Sequence, residues 1–471
     1  MGWGPIGLHP ITLIATSGES DVSSAREHAQ YLAAEAALFA RGYSRMHFDL
    51  DKVKRLLELL GDPQRSFRAV HVTGTNGKTS TARITESLIR AHGLRTGRYT
   101  SPHLDSVRER ITIDGEPIGE AAFTALYEEI RPYAAIVDAE FDEPLTFFDV
   151  TTAMAFAAFA DAPVDVAVVE VGLGGETDST NVLGAEVAVI TPIGLDHTQW
   201  LGETVSEIAQ MKSGIVHKGS TLVTSEQDPE AMIPLVERCH AVGASLIAEG
   251  RRFTVDERRV AVGGQQLTIT APSGATYDEI YLPLHGAYQA HNAAAALAAV
   301  EVLLGAGEPK ALNGEVVGEG FAKATSPGRL ERVRSAPTVL LDAAHNPSGM
   351  TAAVAAIEEE FAFSRLIGVV GVFGDKDAAG MLRLLRPICD RLVVTQSSAE
   401  RARPAAELGA LARQIFEPEQ VTIEPRLADA IETAVRIAEE DEDAFGGAGV
   451  LITGSVYTVA DARKLLVRDE R

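Results

Sequence analysis

The stretch that decides the fold is His71-Val72-Thr73-Gly74-Thr75-Asn76-Gly77-Lys78-Thr79-Ser80. It predicts a strand, a glycine-rich turn and the start of a helix, because an apolar run precedes it and apolar residues follow at helical spacing. The glycines free backbone N–H groups to point inward, while the helix N-terminus and Lys78 add positive charge, as in phosphate-binding loops. A tight turn with a solvated lysine is the alternative. The stretch therefore favours a nucleotide site.

Length and charge limit the remaining possibilities. A chain of 471 residues is too long for one ordinary core, so we expect two domains. The net charge of −24 argues against nucleic acid and anionic membranes as partners. Only two cysteines occur, Cys239 and Cys389, which implies neither a disulfide framework nor a cysteine metal site.

The N-terminal residues give no targeting signal. No lysine or arginine precedes the weakly apolar patch at residues 11–15, since the first is Arg26, and a secretory signal needs a basic start. No apolar run is long enough to cross a bilayer. We expect a flexible tail at residues 1–23 and a cytoplasmic protein.

Helical and strand patterns then alternate along the chain. Helices are predicted at 24–42, 50–61 and 286–304, and buried parallel strands at 164–171 and 187–193. The turn Ser326-Pro327-Gly328 is the candidate hinge. A second β/α series follows, with strands predicted at 339–342, 366–372, 392–395 and 450–453.

This alternation predicts an α/β fold. We expect a P-loop ATPase-type domain with a mostly parallel sheet at residues 24–325, and a smaller Rossmann-like α/β domain at 326–471. Ligands of such sheets bind at the carboxyl ends of the strands.

Several polar residues occupy predicted strand ends. Glu170 ends a buried strand before Gly172-Leu173-Gly174-Gly175 and is a candidate Mg²⁺ carboxylate, with an ordinary solvent-facing acid as the alternative. His197 follows the next strand and is equally compatible with a structural role. Lys212 and the Ser101-Pro102-His103 turn are, on sequence alone, better explained as a surface lysine and a plain turn.

The second half offers Asp342 at a strand end, suited to bonding a ribose, and Arg329 after the hinge, suited to phosphate oxygens. A turn and a surface arginine are equally compatible. Motifs for serine hydrolases, zinc proteases and dinucleotide oxidoreductases are lacking, which leaves use of ATP or GTP.

Taken in order, these pieces resemble folylpolyglutamate synthase, often bifunctional with dihydrofolate synthase, in the Mur ligase superfamily. The matching strings are Gly74-Thr75-Asn76-Gly77-Lys78, Tyr99-Thr100-Ser101-Pro102-His103-Leu104, Glu109-Arg110-Ile111, Glu170-Val171-Gly172-Leu173-Gly174-Gly175-Glu176-Thr177-Asp178-Ser179-Thr180-Asn181, Leu195-Asp196-His197, Lys212-Ser213-Gly214-Ile215, Asp342-Ala343-Ala344-His345-Asn346-Pro347 and Ile452-Thr453-Gly454-Ser455. The resemblance implies an ATP-dependent ligase that joins L-glutamate to tetrahydrofolate, and to dihydropteroate, through an acyl phosphate.

The resemblance also implies roles for individual residues. Lys78, Glu170, His197 and Lys212 would be catalytic, with Lys212 carbamylated. Ser101 and Glu170 would hold one Mg²⁺, and Glu170 and His197 would flank a second. The ATP contacts would be Gly74, Thr75, Asn76, Gly77, Lys78, Thr79, Ser80, Asn292, Arg329 and Asp342. The substrate contacts would be Phe48, Asp49 and Leu50 for the pterin, Ser101 and His103, and His345 and Ser455 near glutamate.

Two points stay open at this stage. Thr79 follows the loop lysine where many relatives carry glycine, so either Thr79 or Ser80 could make the key phosphate contact. A Mur-type ligase of UDP-MurNAc peptides and a non-ligating nucleotide switch are the alternative functions. The first usually has an extra N-terminal domain, and only 73 residues precede Gly74. We expect a monomer whose partners are small molecules: folates or dihydropteroate, L-glutamate and ATP.

Overall fold

The computed structural model describes residues 17–42, 49–440 and 447–467. Eight strands form the large sheet of the N-terminal domain: β1 (Arg68–Thr73), β2 (Thr96–Tyr99), β3 (Ile111–Ile113), β4 (Glu116–Pro117), β5 (Val166–Glu170), β6 (Val187–Ile190), β7 (Thr221–Thr224) and β8 (Ser245–Ala248). Their order is β4-β3-β2-β5-β1-β6-β7-β8. All pairs are parallel except those that β3 makes with β2 and β4.

The order of the central strands positions the site. β1 lies between β5 and β6, with Val72 paired to Glu170 and Thr73 to Ile190. All three strands are buried and rich in valine, as expected for strands covered on both faces. Because they are parallel, the segments that leave their carboxyl ends meet at one edge of the sheet.

Helices cover both faces of this sheet: α1 (Ser17–Phe39), α2 (Asp51–Leu59), α3 (Lys78–Ala91), α4 (Glu120–Glu140), α5 (Phe147–Asp161), α6 (Thr198–Leu201), α7 (Val205–Ser213), α8 (Pro229–Val242), α9 (Ala287–Leu304) and α10 (Gly314–Ala322). Side chains of β1 alternate between two cores, with Val70 and Val72 facing α3 and α9, and Ala69 facing α4 and α5. The alanine-rich α9 is buried nearly all round. α1 begins seven residues before its predicted start at residue 24.

A small antiparallel sheet was not predicted. It consists of β9 (Thr254–Ala261), β10 (Gly264–Thr270) and β11 (Thr276–Leu282), in the order β11-β10-β9. Leu267, Ile269 and Ile280 bury its inner face in the core that contains α9. The alternation of apolar and polar residues in β10 is a strand signal that the sequence analysis did not use.

The C-terminal domain has a six-stranded sheet: β12 (Glu331–Ser335), β13 (Thr338–Asp342), β14 (Arg365–Val370), β15 (Arg391–Val394), β16 (Val421–Ile423) and β17 (Ala448–Thr453). The order is β12-β13-β17-β14-β15-β16, and only β12 is antiparallel to its neighbour. Its helices are α11 (Pro347–Glu360), α12 (Ala378–Leu385), α13 (Ala405–Ala412), α14 (Leu427–Glu439) and α15 (Val456–Leu466). The predicted fold class, two α/β domains with mostly parallel main sheets, is confirmed.

Two further sequence expectations can be compared with this fold. Within the described ranges, every helix is too short or too polar to cross a membrane. The thiols of Cys239 and Cys389 are both free and buried. The predicted tail at residues 1–23 overlaps α1, and residues 1–16 lie outside the described part of the chain.

Candidate active site

The loop between β1 and α3 is closely packed and admits no side chain at its two glycines. Gly74 has φ 146° and Gly77 has φ 87°. A Cβ at Gly74 would lie 1.9 Å from Thr191 Oγ1, and one at Gly77 would lie 2.5 Å from Asn292 Oδ1. Thr191 Oγ1 also donates to the Asn76 carbonyl at 2.6 Å. The segment after β6 thus fixes the loop at the N-terminus of α3, where anions bind.

Two lysines, of which Lys212 is buried, converge on this loop. Lys78 Nζ donates to the carbonyls of Gly74 at 3.0 Å and Thr75 at 3.1 Å. Lys212 Nζ, at the end of α7, donates to the same Gly74 carbonyl at 2.8 Å. Burial lowers the pKa of both amines, and the charge of Lys78 lowers the pKa of Lys212 further, well below its usual value. The sequence alone suggested a surface lysine, but Lys212 is buried.

Glu170 lies beside the start of α3, at the end of β5. Its Oε1 accepts a hydrogen bond from Thr79 Oγ1 at 2.8 Å, and its Oε2 accepts one from the Ser101 N–H at 3.2 Å. Burial raises its pKa, while the charge of Lys78 opposes that rise. A buried carboxylate with a lysine and a hydroxyl beside it differs from the solvent-facing acid of the alternative interpretation.

Ser80 makes different contacts from Thr79. Its Oγ is 2.8 Å from Ser326 Oγ in the turn between the domains and accepts from Gln289 Nε2 at 3.2 Å. Gln289 Oε1 in turn accepts from Asn292 Nδ2 at 3.0 Å. Thr79 therefore faces the carboxylate Glu170, whereas Ser80 belongs to a buried polar network with α9 and the hinge.

Asp196 joins the two domains. Lys376 Nζ of the C-terminal domain lies 2.5 Å from Asp196 Oδ1, and Asn346 Nδ2 donates to Oδ2 at 3.0 Å. His345 Nε2 lies 3.5 Å from the same Oδ2. Burial opposes ionisation, but the hydrogen bond from His345 and the charges around it lower the pKa of Asp196 far below its usual value. Asp196 is therefore an anion held by a cation from the other domain.

His197 borders the same group. Its Nε2 lies 3.4 Å from Lys376 Nζ and 3.9 Å from Asp196 Oδ2. Burial lowers the pKa of His197 to about 4, with the Asp196 charge opposing and the Lys376 charge adding to the shift. The imidazole is neutral at pH 7, which leaves a ring nitrogen able to ligate a metal.

Several of these groups line one cleft between the two domains. It is lined by the loop, Lys78, the glycine segment after β5, Asp196, His197, Lys212 and the C-terminal His345. Asn76 and Asn346 bridge its two sides through contacts of 3.2 and 3.4 Å. Residues of the glycine-rich loop and of the C-terminal domain therefore face each other across this cleft.

The sequence matches known families over both domains. Residues 72–300 match the Mur ligase middle domain, and residues 328–456 match the Mur ligase glutamate ligase domain. The chain is 46% identical to the dihydrofolate synthase/folylpolyglutamate synthase of Mycobacterium tuberculosis over 90% of this chain and 91% of that protein. The chain belongs to the folylpolyglutamate synthase family of Mur ligases.

Other members of the family agree. The dihydrofolate synthase/folylpolyglutamate synthase of Bacillus subtilis is 33% identical over 88% of this chain and 94% of its own length. The structure of the Mycobacterium tuberculosis folylpolyglutamate synthase complexed with ADP superposes with a TM-score of 0.90 at 46% identity, covering 94% of this chain and all of that one. The resemblance inferred from the ordered motifs is confirmed.

The Mg²⁺ expected in a folylpolyglutamate synthase fits the donors around Glu170. Mg²⁺ prefers oxygen ligands and is usually held by one or two carboxylates together with substrate phosphates. Glu170 supplies a buried carboxylate next to the phosphate-type loop, and Thr79 supplies a hydroxyl. Among the described residues, no three His, Cys, Asp or Glu side chains cluster to hold a metal by themselves. The donor set suits an ion shared with nucleotide phosphates.

Arg329 and Asp342 lie where the domains join. Asp342 Oδ1 accepts from the Ala344 N–H at 2.9 Å, and its Oδ2 from the Leu330 N–H at 3.0 Å. Burial raises the pKa of Asp342, opposed by the Arg329 charge. Arg329 Nη1 donates to the Gly328 carbonyl at 3.3 Å. Both residues therefore lie beside the hinge, and their nucleotide role stays a prediction.

Four further predicted substrate residues make hydrogen bonds or caps within their own segments of the chain. His103 Nδ1 accepts from Arg110 Nε at 3.0 Å. Ser455 caps α15, accepting from the N–H groups of Tyr457 and Thr458. Asp49 accepts from the Asp51 N–H at the start of α2, and Leu50 is the N-cap there. Phe48 lies outside the described residues. The substrate roles of these residues stay predictions.

Sequence reasoning missed Lys376 and undervalued Asp196. Lys376 follows β14 in Gly374-Asp375-Lys376-Asp377, so it occupies a strand end like the other site residues. That position was the available signal. Its pairing with Asp196, 180 residues away, has no local signature in the sequence.

Proposed function

We propose that this chain is an ATP-dependent ligase that adds L-glutamate to tetrahydrofolate and to dihydropteroate. The observation that carries the proposal is the cleft itself. A phosphate-type loop with Lys78 lines one side, with Glu170 bonded to the adjacent Thr79, and His345 of the glutamate ligase domain lines the other. Lys376 of the same domain pairs with Asp196 of the lining. A site that only bound a nucleotide would not need the second set of groups.

The chemistry is phosphoryl transfer followed by acyl transfer. An oxygen of the substrate carboxylate attacks the γ-phosphorus of ATP, and the bond between that phosphorus and the oxygen of ADP breaks. The amine nitrogen of L-glutamate then attacks the acyl carbon, phosphate leaves, and the nitrogen loses a proton. All the reactants are anionic, so positioning and charge neutralisation are the main tasks of the protein.

Residues of the cleft divide this task. The loop N–H groups and Lys78 bind the ATP phosphates, and Thr79 orients Glu170. Asn292, Arg329 and Asp342 bind the rest of the nucleotide near the hinge. Mg²⁺ held by Glu170, beside Ser101, would neutralise phosphate charge, and a second ion would lie between Glu170 and His197.

Lys212 is proposed to carry a carbamate. Its buried amine has a pKa well below the usual value, so the neutral, nucleophilic form is favoured. The nitrogen bonds to the carbon of CO₂ and releases one proton. The resulting carbamate anion would lie beside the positive charge of Lys78. It would compensate that charge better than the uncharged amine does.

The proposal includes the setting of the enzyme. We propose a monomer in the cytoplasm whose partners are small molecules, namely ATP, L-glutamate and folates or dihydropteroate. Two buried free thiols are compatible with a reducing compartment.

The two alternative functions have less support. A Mur ligase of UDP-MurNAc peptides shares both domain types. The relatives described above, however, are folate enzymes, and this chain matches them over nearly their whole length. A nucleotide switch would not need the residues that the C-terminal domain brings to the cleft.

Glutamate incorporation tests the function. Purified enzyme is supplied with ATP, Mg²⁺ and labelled L-glutamate, with dihydropteroate or tetrahydrofolate as acceptor. We expect incorporation with both acceptors and none with the Lys78→Ala variant. Phosphate release that ignores both acceptor and glutamate would support the switch, and dependence on a UDP-MurNAc peptide would support the other ligase.

A further inference from the structure

The segment of residues 101–110, between β2 and β3, contacts both the metal carboxylate and the C-terminal domain. At its start, the Ser101 N–H donates to Glu170 Oε2 at 3.2 Å. Three residues later, Leu104 and Asp105 reach the other domain. We call residues 101–110 the β2–β3 segment.

The β2–β3 segment is internally braced. The Glu109 carboxylate accepts from the N–H groups of Leu104 at 3.0 Å and of Asp105 and Ser106 at 2.8 Å each. Ser106 Oγ accepts from the Arg108 N–H, completing a capping box. Both ends are also tied, since the Thr100 N–H donates to the Arg110 carbonyl at 3.1 Å. Displacing one part of the segment therefore displaces the rest.

Leu104 supplies an apolar contact with the C-terminal domain. It packs against the core cluster that includes Val459 of α15. The two side chains enclose Gly328, because a Cβ there would lie 3.1 Å from Val459 Cγ1 and 3.3 Å from Leu104 Cδ1. Leu104 thus seats the segment against α15 and the hinge together.

Asp105 supplies an ionic contact at the same place. It pairs with Arg463 of α15, whose Nε also lies 3.2 Å from both carboxylate oxygens of Glu331. Glu331 accepts from the Gly328 N–H at 2.7 Å. The side chains of Asp105, Arg463 and Glu331 are only 28, 18 and 22% exposed. A partly buried network of this kind is less screened than exposed surface pairs.

We propose that Leu104 and Asp105 are positioning residues that transmit the seating of the C-terminal domain to Glu170. When α15 and the hinge hold the β2–β3 segment, the Ser101 N–H is fixed against Glu170 and the carboxylate is oriented for its ion. In that same arrangement, Lys376 and His345 of the C-terminal domain reach the cleft. The inference deepens the proposed function and rests on it.

A purely adhesive role is the competing explanation, and the chain offers a matched control for it. Arg258 of β9 pairs with Glu359 at 2.7 Å and with Glu360, both on α11. This contact joins the same two domains, yet within the described part of the chain no hydrogen bond links it to Glu170. Arg258→Met therefore removes an interdomain ion pair without disturbing the metal carboxylate.

The test compares Leu104→Ala, Asp105→Asn and Arg258→Met in the full chain. We expect kcat to fall about 10- to 100-fold in the first two, since small displacements of catalytic groups have such effects. The KM for ATP should stay within about threefold, because the loop is untouched. Binding of Mn²⁺ in the presence of ADP, followed by electron paramagnetic resonance, should weaken in both variants. Arg258→Met should leave kcat and Mn²⁺ binding within about twofold of wild type.

Two results would overturn the inference. One is unchanged kcat and Mn²⁺ binding in both Leu104→Ala and Asp105→Asn. The other is an equal loss in Arg258→Met, which would show general adhesion between the domains. Circular dichroism checks folding, and Asp105→Asn changes the shape of the side chain little. If the wild type fails to ligate glutamate, the proposed function fails, whereas Mn²⁺ binding still decides the coupling.

Discussion

Among single residues, Lys212 shows how burial changes the chemistry of a side chain. Its amine contacts a backbone carbonyl of the loop and lies near the charge of Lys78. A protonated lysine there would repel Lys78, and it would have no lone pair with which to act as a nucleophile. A carbamate would instead place a negative charge there.

The carbamate leads to a prediction for Lys212→Ala. Ligation should fall about 10- to 100-fold, the usual effect of removing a group that supports a metal site. Formate or acetate should restore part of the activity by placing a carboxylate in the space that the side chain leaves. Steady-state assays with and without the acids measure both effects, and ¹³C-bicarbonate labelling followed by NMR detects the carbamate in the wild type.

The exposed neighbour Lys218 supplies the control. Lys218→Ala should retain wild-type activity and show no response to the acids. An unchanged rate in Lys212→Ala, or a loss that no short acid relieves, would contradict the carbamate.

Thr79 and Ser80 show what the sequence could not decide. Both are hydroxyl residues in the first turn of α3, and either suited a phosphate contact. Neighbours on a helix point about 100° apart, since 3.6 residues complete a turn. Thr79 consequently faces Glu170 and Ser80 faces Ser326 and Gln289. The helix was predictable from its pattern, but the partners of each hydroxyl depend on segments more than 90 residues away.

At the level of elements, β1 contains a buried histidine three residues before Gly74 of the loop. His71 is fully buried, and its Nε2 lies 2.8 Å from Thr180 Oγ1. Thr180 donates its hydroxyl hydrogen to Asp178 Oδ1 at 2.5 Å, so His71 must be the donor in its own bond. Asp178 also accepts from the Leu173 N–H at 2.8 Å. β1 is thereby linked to the glycine segment that lines the cleft.

This histidine predicts how stability depends on pH. Burial, and then the charge of His217, lower the pKa of His71 to about 3 from 6.5. Between those values the unfolded chain binds a proton that the folded chain does not, so stability falls as pH falls below about 6.5. Between pH 7.5 and 5 this single group should cost the wild type about 2 kcal/mol of unfolding free energy.

Urea unfolding of wild type and His71→Gln at the two pH values measures the effect. Glutamine keeps an N–H donor at the position of Nε2 but does not titrate. The stability advantage of the wild type at pH 7.5 should therefore shrink by about 2 kcal/mol at pH 5. A difference between the two proteins that is the same at both pH values would contradict the assignment.

Predictability also varied between elements. The β1–loop–α3 unit and α9 were predicted because strand, turn and helix signals agree locally. The sheet of β9 to β11 was missed because its strands interrupt the β/α alternation on which the fold class was argued. Strand order within the sheets likewise depends on contacts between distant segments. β5 and β6 lie beside β1 although about a hundred residues separate them from it in sequence.

For the whole molecule, the net charge has the same sign as the charges of the substrates. The net charge is −24, whereas ATP, folates and glutamate are all anions. Binding must therefore depend on cations concentrated in the cleft, where low dielectric strengthens their field. Lys78 comes from the N-terminal domain. Lys376 comes from the C-terminal domain, so the full set exists only when both domains border the cleft.

Lys376 accordingly gives the prediction that concerns both domains. Its side chain is 9% exposed, and its ammonium lies beside Asp196 and His197, on the side of the glutamate ligase domain. Lys376→Met should raise the KM for L-glutamate about 10- to 100-fold, the range expected for losing a charge-assisted hydrogen bond to a carboxylate. The KM for ATP should change much less, because Lys78 and the loop remain. Arg383→Met, at an exposed position on α12, is the control for losing one positive charge from the same domain. Equal increases in both KM values, or the same effect in Arg383→Met, would show that Lys376 acts through general charge and not through the glutamate site.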